Sequence, residues 1–229
     1  MSKKLPTFLI VIPVYNGVDL LDVAAPREMF SWLKSNVAET LDVEIRVVAP
    51  TCDPITTRDG QRLLPDRTFA ETPKADLLWV PGGDVPDLKR TMADEIWRKF
   101  LTSRARTVTY LVSVCEGALL LADTGLLNGY RATTHWAFIP CLESYPEIRI
   151  APGFPRFVVN RVRPRPGRKL RYVVTGGGIS SGLDESLEII RLIAGKKVAE
   201  AVQSTTQYFP EPPVSGTLTP ATDCPLSDR

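Results

Sequence analysis

A cysteine stands between an apolar run and a helix-length pattern in "LVSVCEGALLLADTGLL" (111–127), and it is the side chain here with the most capacity for chemistry. "TVTYLVSV" (107–114) has the character of a buried strand and "EGALLLADTGLL" starts a helix directly from it, so Cys115 falls on a strand-to-helix elbow. Such an elbow exposes a nucleophile at the carboxyl edge of a sheet, with backbone N–H donors and the positive end of a helix dipole behind it. The same field stabilises a thiolate, the reactive form of cysteine. Gly117 permits the close approach that the turn requires. A bare Cys-x-Gly is explained as well by an inert packed cysteine, so the groups around it decide.

Three neighbours in sequence or pattern matter. Glu116 follows the cysteine directly: a carboxylate is favoured at a helix N-terminus, but beside a thiolate two anions push at least one pKa upward. His135, in "TTHW", is the one histidine of the chain, so any Cys–His pair must use it; the alternative is a histidine packed near the sheet edge. Asp22, just before "VAAP", reads on its own as a helix N-cap. "TGGGISSGLDESLEII" (175–190) lacks both a Walker lysine and the G-x-G-x-x-G spacing. Its glycines let the backbone pass close to the elbow, so Gly177, Gly178 and Ile179 are expected to shape the wall of a small pocket.

The elements that must position these groups alternate between short β-rich runs and helical patterns, the mark of a parallel sheet covered on both faces. "TFLIVIPV" (7–14), "VEIRVVA" (43–49) and "ADLLWVPGG" (75–83) read as strands. A helix is expected over 24–36 with Pro26 in its first turn. Another is expected over 87–104, with Leu88, Met92, Ile96, Trp97 and Phe100 facing the core. Residues 156–162 and 168–176 read as a hairpin around "RPRPG", and two helices follow over 180–194 and 196–208. The basic run Arg161, Arg163, Arg165, Arg168, Lys169 and Arg171 suits a solvated hairpin tip, with phosphate binding as the alternative. One domain is expected over 1–210, followed by a Pro-, Ser- and Thr-rich arm over 211–229.

Composition bounds the function. With 229 residues, 44% apolar content and a net charge of +2 from 28 basic and 26 acidic residues, no field points to nucleic acid or an anionic membrane. Pro13, Asn16 and Asp19 interrupt the one stretch that imitates a secretory signal. The four cysteines, Cys52, Cys115, Cys141 and Cys224, are widely spaced with no C-x-x-C pair. They are expected as reduced thiols in a cytoplasm, without a disulfide or zinc site.

The strand–Cys–x–Gly–helix element, "PGG" (81–83), "GLLNGYRATTHW" (125–136) and "TGGGISSGLDESLEI" together resemble the DJ-1/PfpI superfamily. "LLDVAAPREMF" and "YFPEPPVSG" resemble its isonitrile (isocyanide) hydratase branch. The resemblance spans about 7–216 and implies a flavodoxin-like doubly wound α/β fold, mostly parallel, with helices on both faces. It also implies a homodimer acting on a small molecule without metal or cofactor. Carried over, Cys115 matches the nucleophile, Asp22 the acid beside it, and Gly82 and Gly83 the loop whose amide faces the thiol. Together with the amide of residue 116, that loop could hold a developing negative charge. Glu116 departs from the branch, which carries a threonine there. It is expected to point away as a first-turn residue, to act as a second proton-transfer group, or to divert the site to another substrate.

The activity implied is hydration of organic isonitriles to N-substituted formamides through a covalent Cys115 thioimidate. The rivals are a DJ-1-like enzyme acting on small carbonyl compounds and a non-catalytic binding or redox-sensing module. Related domains precede helix-turn-helix segments in some regulators, and no room for such a segment is expected here.

Overall fold

The computed structural model describes residues 5–163, 166–167 and 169–227. In chain order the elements are β1 (Thr7–Pro13), α1 (Leu20–Val37), β2 (Asp42–Ala49), β3 (Ile55–Thr56), β4 (Arg62–Leu63), β5 (Arg67–Thr68) and β6 (Leu77–Val80). They continue with α2 (Val85–Ala93), α3 (Glu95–Ala105), β7 (Tyr110–Ser113), α4 (Gly117–Asp123), β8 (Arg131–Ala132), α5 (Ile139–Glu143), β9 (Arg149–Ile150), β10 (Phe157–Arg161), β11 (Tyr172–Gly176), α6 (Ser181–Ala194) and α7 (Lys196–Thr205). Among the described residues, seven strands form the main sheet in the order β10-β11-β7-β6-β1-β2-β5. All its pairings are parallel except β10 with β11.

The first crossover leads from β1 to β2 on one side, and the chain then returns to lay β6 on the other side of β1. Right-handed crossovers therefore place helices on both faces. The helices α1, α6 and α7 pack on one another, while α2, α3 and α4 form the other layer. The central strands are buried on both sides, which is why they read as unbroken apolar runs: Ile10, Val11 and Ile12 in β1, and Leu77, Leu78, Trp79 and Val80 in β6, are fully covered. The fold is the doubly wound α/β sheet expected from the alternation of elements. Its reversal of strand order between β1 and β6 opens a crevice at the carboxyl ends of those strands, where such sheets bind ligands.

Three expectations are corrected. The helix over 24–36 begins at Leu20, so Pro26 lies inside α1 rather than in its first turn. Pro26 has no N–H for the carbonyl of Asp22, and the indole Nε1–H of Trp79 donates to that oxygen instead, at 3.0 Å. The helix over 87–104 is two helices, broken at Asp94, whose backbone is extended and whose side chain accepts from the Ile96 amide at 2.7 Å. Leu88, Trp97 and Phe100 face the core as expected, but Ile96 is exposed. Finally, the cysteines are not all free: Cys141 on α5 and Cys224 form a disulfide across 83 residues of sequence, with Cα atoms 4.7 Å apart. The chain beyond α7 folds back over α5, a long-range return that spacing in sequence does not reveal. Cys52 and Cys115 are free, the first exposed and the second buried.

β10 and β11 form the expected antiparallel pair, while Arg165 and Arg168 of the basic run lie outside the described residues. No described helix is long and apolar enough to cross a membrane. Residues 206–227 contain neither helix nor strand.

Candidate active site

The elbow is built as the sequence pattern demands. Cys115 has φ of 55°, the left-handed region that a non-glycine residue enters only when its surroundings force it. Its N–H donates to Gly177 O at 2.9 Å, and its carbonyl accepts from Thr134 Oγ1 at 2.8 Å. Gly117 makes the turn possible: a Cβ there would lie 2.0 Å from Val80 O. The thiol is almost fully buried. Burial pushes its pKa well up, the negative charges of Asp22 and Glu116 push further, and the Ile179 amide partly compensates.

Asp22 lies in the first turn of α1 and is fully buried. Position 19, not 22, is the N-cap, so Asp22 is free to turn inward. Its Oδ2 accepts from the Gly82 amide at 2.9 Å, and its Oδ1 has no hydrogen-bond partner. Burial pushes this carboxyl well above the usual carboxylate range against the pull of the Gly82 amide, while Asp19 and Glu116 add repulsion. The direction of that shift favours the neutral acid over the carboxylate.

Glu116 does not point to solvent. It is 4% exposed, and its Oε2 has no hydrogen-bond partner. That oxygen fills the space beside Gly82, where a Cβ would come within 2.3 Å of it. Burial pushes its pKa up to about 7, against the pull of a hydrogen bond from the Cys115 thiol and of the amides of Glu116 and Gly83. The Gly82 and Gly83 amides thus face carboxyl groups of the protein itself.

His135 lies beside the cluster with its Nδ1 4.0 Å from Glu116 Oε1. Nδ1 accepts from the Ala137 amide at 3.3 Å, capping the short 3-10 turn Trp136–Phe138, so the ring proton of the neutral form belongs on Nε2. Burial lowers its pKa, which keeps it neutral.

Three further groups converge on the site that the sequence pattern did not single out. Tyr15, two residues beyond β1, is 5% exposed with an unpartnered hydroxyl. Burial raises its pKa, followed by the charges of Glu116, Asp22 and Cys115. Asp19 is buried and paired with Arg58 from the β3–β4 turn. Glu185 on α6 is fully buried with both carboxyl oxygens unpartnered. Burial and then Asp22 push it well up. Its place on the apolar face, in step with Gly182, Ile189 and Ile190, was the available signal.

Among the described residues, Asp19, Asp22 and Cys115 could offer metal ligands, with atoms within 4.8 Å of one another. Asp19 is already engaged by Arg58, and one Asp22 oxygen by the Gly82 amide. The set fits a proton-handling cluster better than an ion cage.

A cavity of about 400 Å³ opens above the elbow, with Leu21, His135, Trp136, Phe154, Ile179 and Leu218 in its walls. Gly177 and Gly178 also line it, and the Gly177 carbonyl that accepts from the Cys115 N–H sets the elbow directly behind this wall, while the thiol itself stays buried. A larger cavity of about 800 Å³, bordered by Arg106, Leu111 and Tyr130, lies toward the amino end of β7, and no cysteine, histidine or carboxylate is among its described lining residues.

Residues 9–151 match the model of the DJ-1/PfpI family. The chain is 35% identical to an isonitrile hydratase of Pseudomonas putida, over 87% of this chain and 78% of that protein. It is 27% identical to the HTH-type transcriptional regulator GbdR of Pseudomonas aeruginosa, over 80% of this chain but only 42% of the regulator. Among solved structures, a ThiJ/PfpI family protein from Pseudomonas syringae superposes with a TM-score of 0.77 at 29% identity, covering 92% of this chain and 78% of that one. The elbow, the switch-point crevice and these matches agree: the chain belongs to the DJ-1/PfpI family.

Proposed function

We propose that the protein hydrates organic isonitriles to N-substituted formamides. The observation that carries this reading is a buried cysteine whose sulfur lies within 4.8 Å of an Asp22 oxygen, in a chain 35% identical to a protein named isonitrile hydratase. An apolar cavity above the pair suits the substituent on the isonitrile nitrogen.

The cluster supplies a balanced proton sequence. The thiol proton passes to the Glu116 carboxylate as sulfur bonds to the terminal carbon, and Asp22 donates its proton to that carbon, leaving a thioimidate. Water then adds to the same carbon, giving one proton to the Asp22 carboxylate, while Glu116 protonates the nitrogen. Collapse breaks the carbon–sulfur bond, the hydroxyl proton passes to sulfur, and the formamide leaves. All three groups end as they began. Glu116 thus takes the second of its three expected roles. Its pKa of about 7 suits a group that must both accept and return a proton.

The test is infrared loss of the isonitrile stretch, with formamide identified by mass spectrometry. It uses the wild type, Cys115→Ala, Asp22→Asn and Glu116→Thr, with cyclohexyl isonitrile as substrate. Turnover in the wild type that falls at least 100-fold (roughly the size of a general acid–base contribution) in the first two variants is expected. An inactive wild type beside an active Glu116→Thr would instead show that the glutamate diverts the site. The partial match to a regulator favours a second reading, a chain that binds a small apolar ligand without turnover, and it predicts ligand affinity with no product.

A further inference from the structure

Leu218 is the wall of the cavity that comes from farthest along the chain. It borders the same cavity as Leu21, Trp136 and Ile179, yet it belongs to a segment with neither helix nor strand. What holds such a segment in place lies a few residues on. Cys224 is bonded to Cys141, and Cys224 and Leu226 pack against the core. The anchor is well chosen: Cys141 is buried on α5, the helix that follows directly from the wall residues His135 and Trp136. Both ends of that wall are therefore tied together, Trp136 through α5 and Leu218 through the disulfide.

We infer that residues 213–226 form a strap that completes the apolar side of the reaction cavity, with Leu218 contacting the substrate's substituent and the Cys141–Cys224 disulfide as its clasp. This rests on the hydratase reading only for the identity of the ligand. Leu218 is 54% exposed, so its own packing contributes little to hold it, and the covalent tie replaces the missing burial. A dithiol delivers two electrons and two protons to the sulfur–sulfur bond, leaving two cysteine thiols and the dithiol as its own disulfide. The strap then loses its clasp while the elbow, built from β7, α4 and the 177–179 turn, keeps all its bonds. Reduction is thus expected to weaken recognition of bulky apolar substituents without touching the reacting groups.

The experiment measures binding of N-cyclohexylformamide by calorimetry to the full chain carrying Cys115→Ala, which leaves the cavity intact and removes turnover. It is run oxidised, in dithiothreitol, and with Leu218→Ala or Cys224→Ser added. Hydrogen exchange over 111–123 and 213–226 is followed on the same samples. Affinity roughly tenfold lower on reduction and in both variants, with faster exchange in 213–226 and unchanged exchange in 111–123, is the expected result. Equal affinity in all four samples, or no change in exchange of 213–226 on reduction, overturns the strap. Turnover of cyclohexyl isonitrile by the wild type reports separately on the chemistry. Clasp-dependent binding without any turnover keeps the strap and removes the hydratase.

Discussion

Glu116 works in two opposed directions. Its pKa, raised by burial to about 7, makes it a usable base only once it is ionised. On the hydratase reading, log kcat/KM should therefore climb with unit slope below about pH 7 and level off above it, and Glu116→Gln should abolish that limb. Stability runs the other way. A carboxyl whose folded pKa lies above its unfolded value contributes stability that is complete below the unfolded pKa and is lost as pH rises through the folded one. Wild-type unfolding free energy should thus fall by on the order of 3 kcal/mol between pH 4.5 and 7 from this group alone, and Glu116→Gln should flatten the curve in urea titrations. Glu185 has the same sign without an evident catalytic use. Its buried oxygens lack partners, so Glu185→Leu should raise stability at neutral pH by about 1 kcal/mol. A loss of that size would mean that the carboxyl is held by a polar partner.

At the level of elements, Asp22 is aimed by a substitution of donors. Pro26 leaves the Asp22 carbonyl without its helical N–H, and Trp79 reaches from β6 to supply one. Trp79→Phe should cost about 1–2 kcal/mol in thermal or urea unfolding. It should also lower kcat while leaving KM nearly unchanged, because the acid loses its setting and the cavity keeps its walls. Local pattern was enough to read the strands, since β1, β6 and β7 fall inside largely apolar runs and β2 alternates Val43, Ile45 and Val47 with Glu44 and Arg46. It was also enough to mark the elbow, where a strand pattern gives way to a helical one at Cys115. The break at Asp94 was not legible, because the apolar spacing from Leu88 to Phe100 fits one helix, and only the capping by Asp94 shows that there are two. Tyr15, Asp19 and Glu185 escaped for a related reason. A polar residue's burial depends on which strand ends the topology brings together, and the switch point gathers residues more than a hundred positions apart.

For the whole molecule, the disulfide is the long-range constraint that composition argued against. It closes a loop of 83 residues, and on the loop-entropy account such a bridge contributes about 2–4 kcal/mol. Chemical denaturation of the oxidised chain against the Cys224→Ser variant should show that difference, with a shallower slope against denaturant for the cross-linked chain, whose unfolded state is more compact. A smaller change would place the tethered segment outside the cooperative unit. The tether also has a consequence in time. Synthesis runs from β1 onward, so every strand of the main sheet has emerged before Leu218 and Cys224 follow. A sheet that closed in order of synthesis would therefore complete the strained elbow before the strap supplied the cavity's far wall. In that order of events the thiol of Cys115 would depend on the fold of the sheet alone until the disulfide closed, and a thiol-directed label applied before closure should meet a more open molecule than one applied after it.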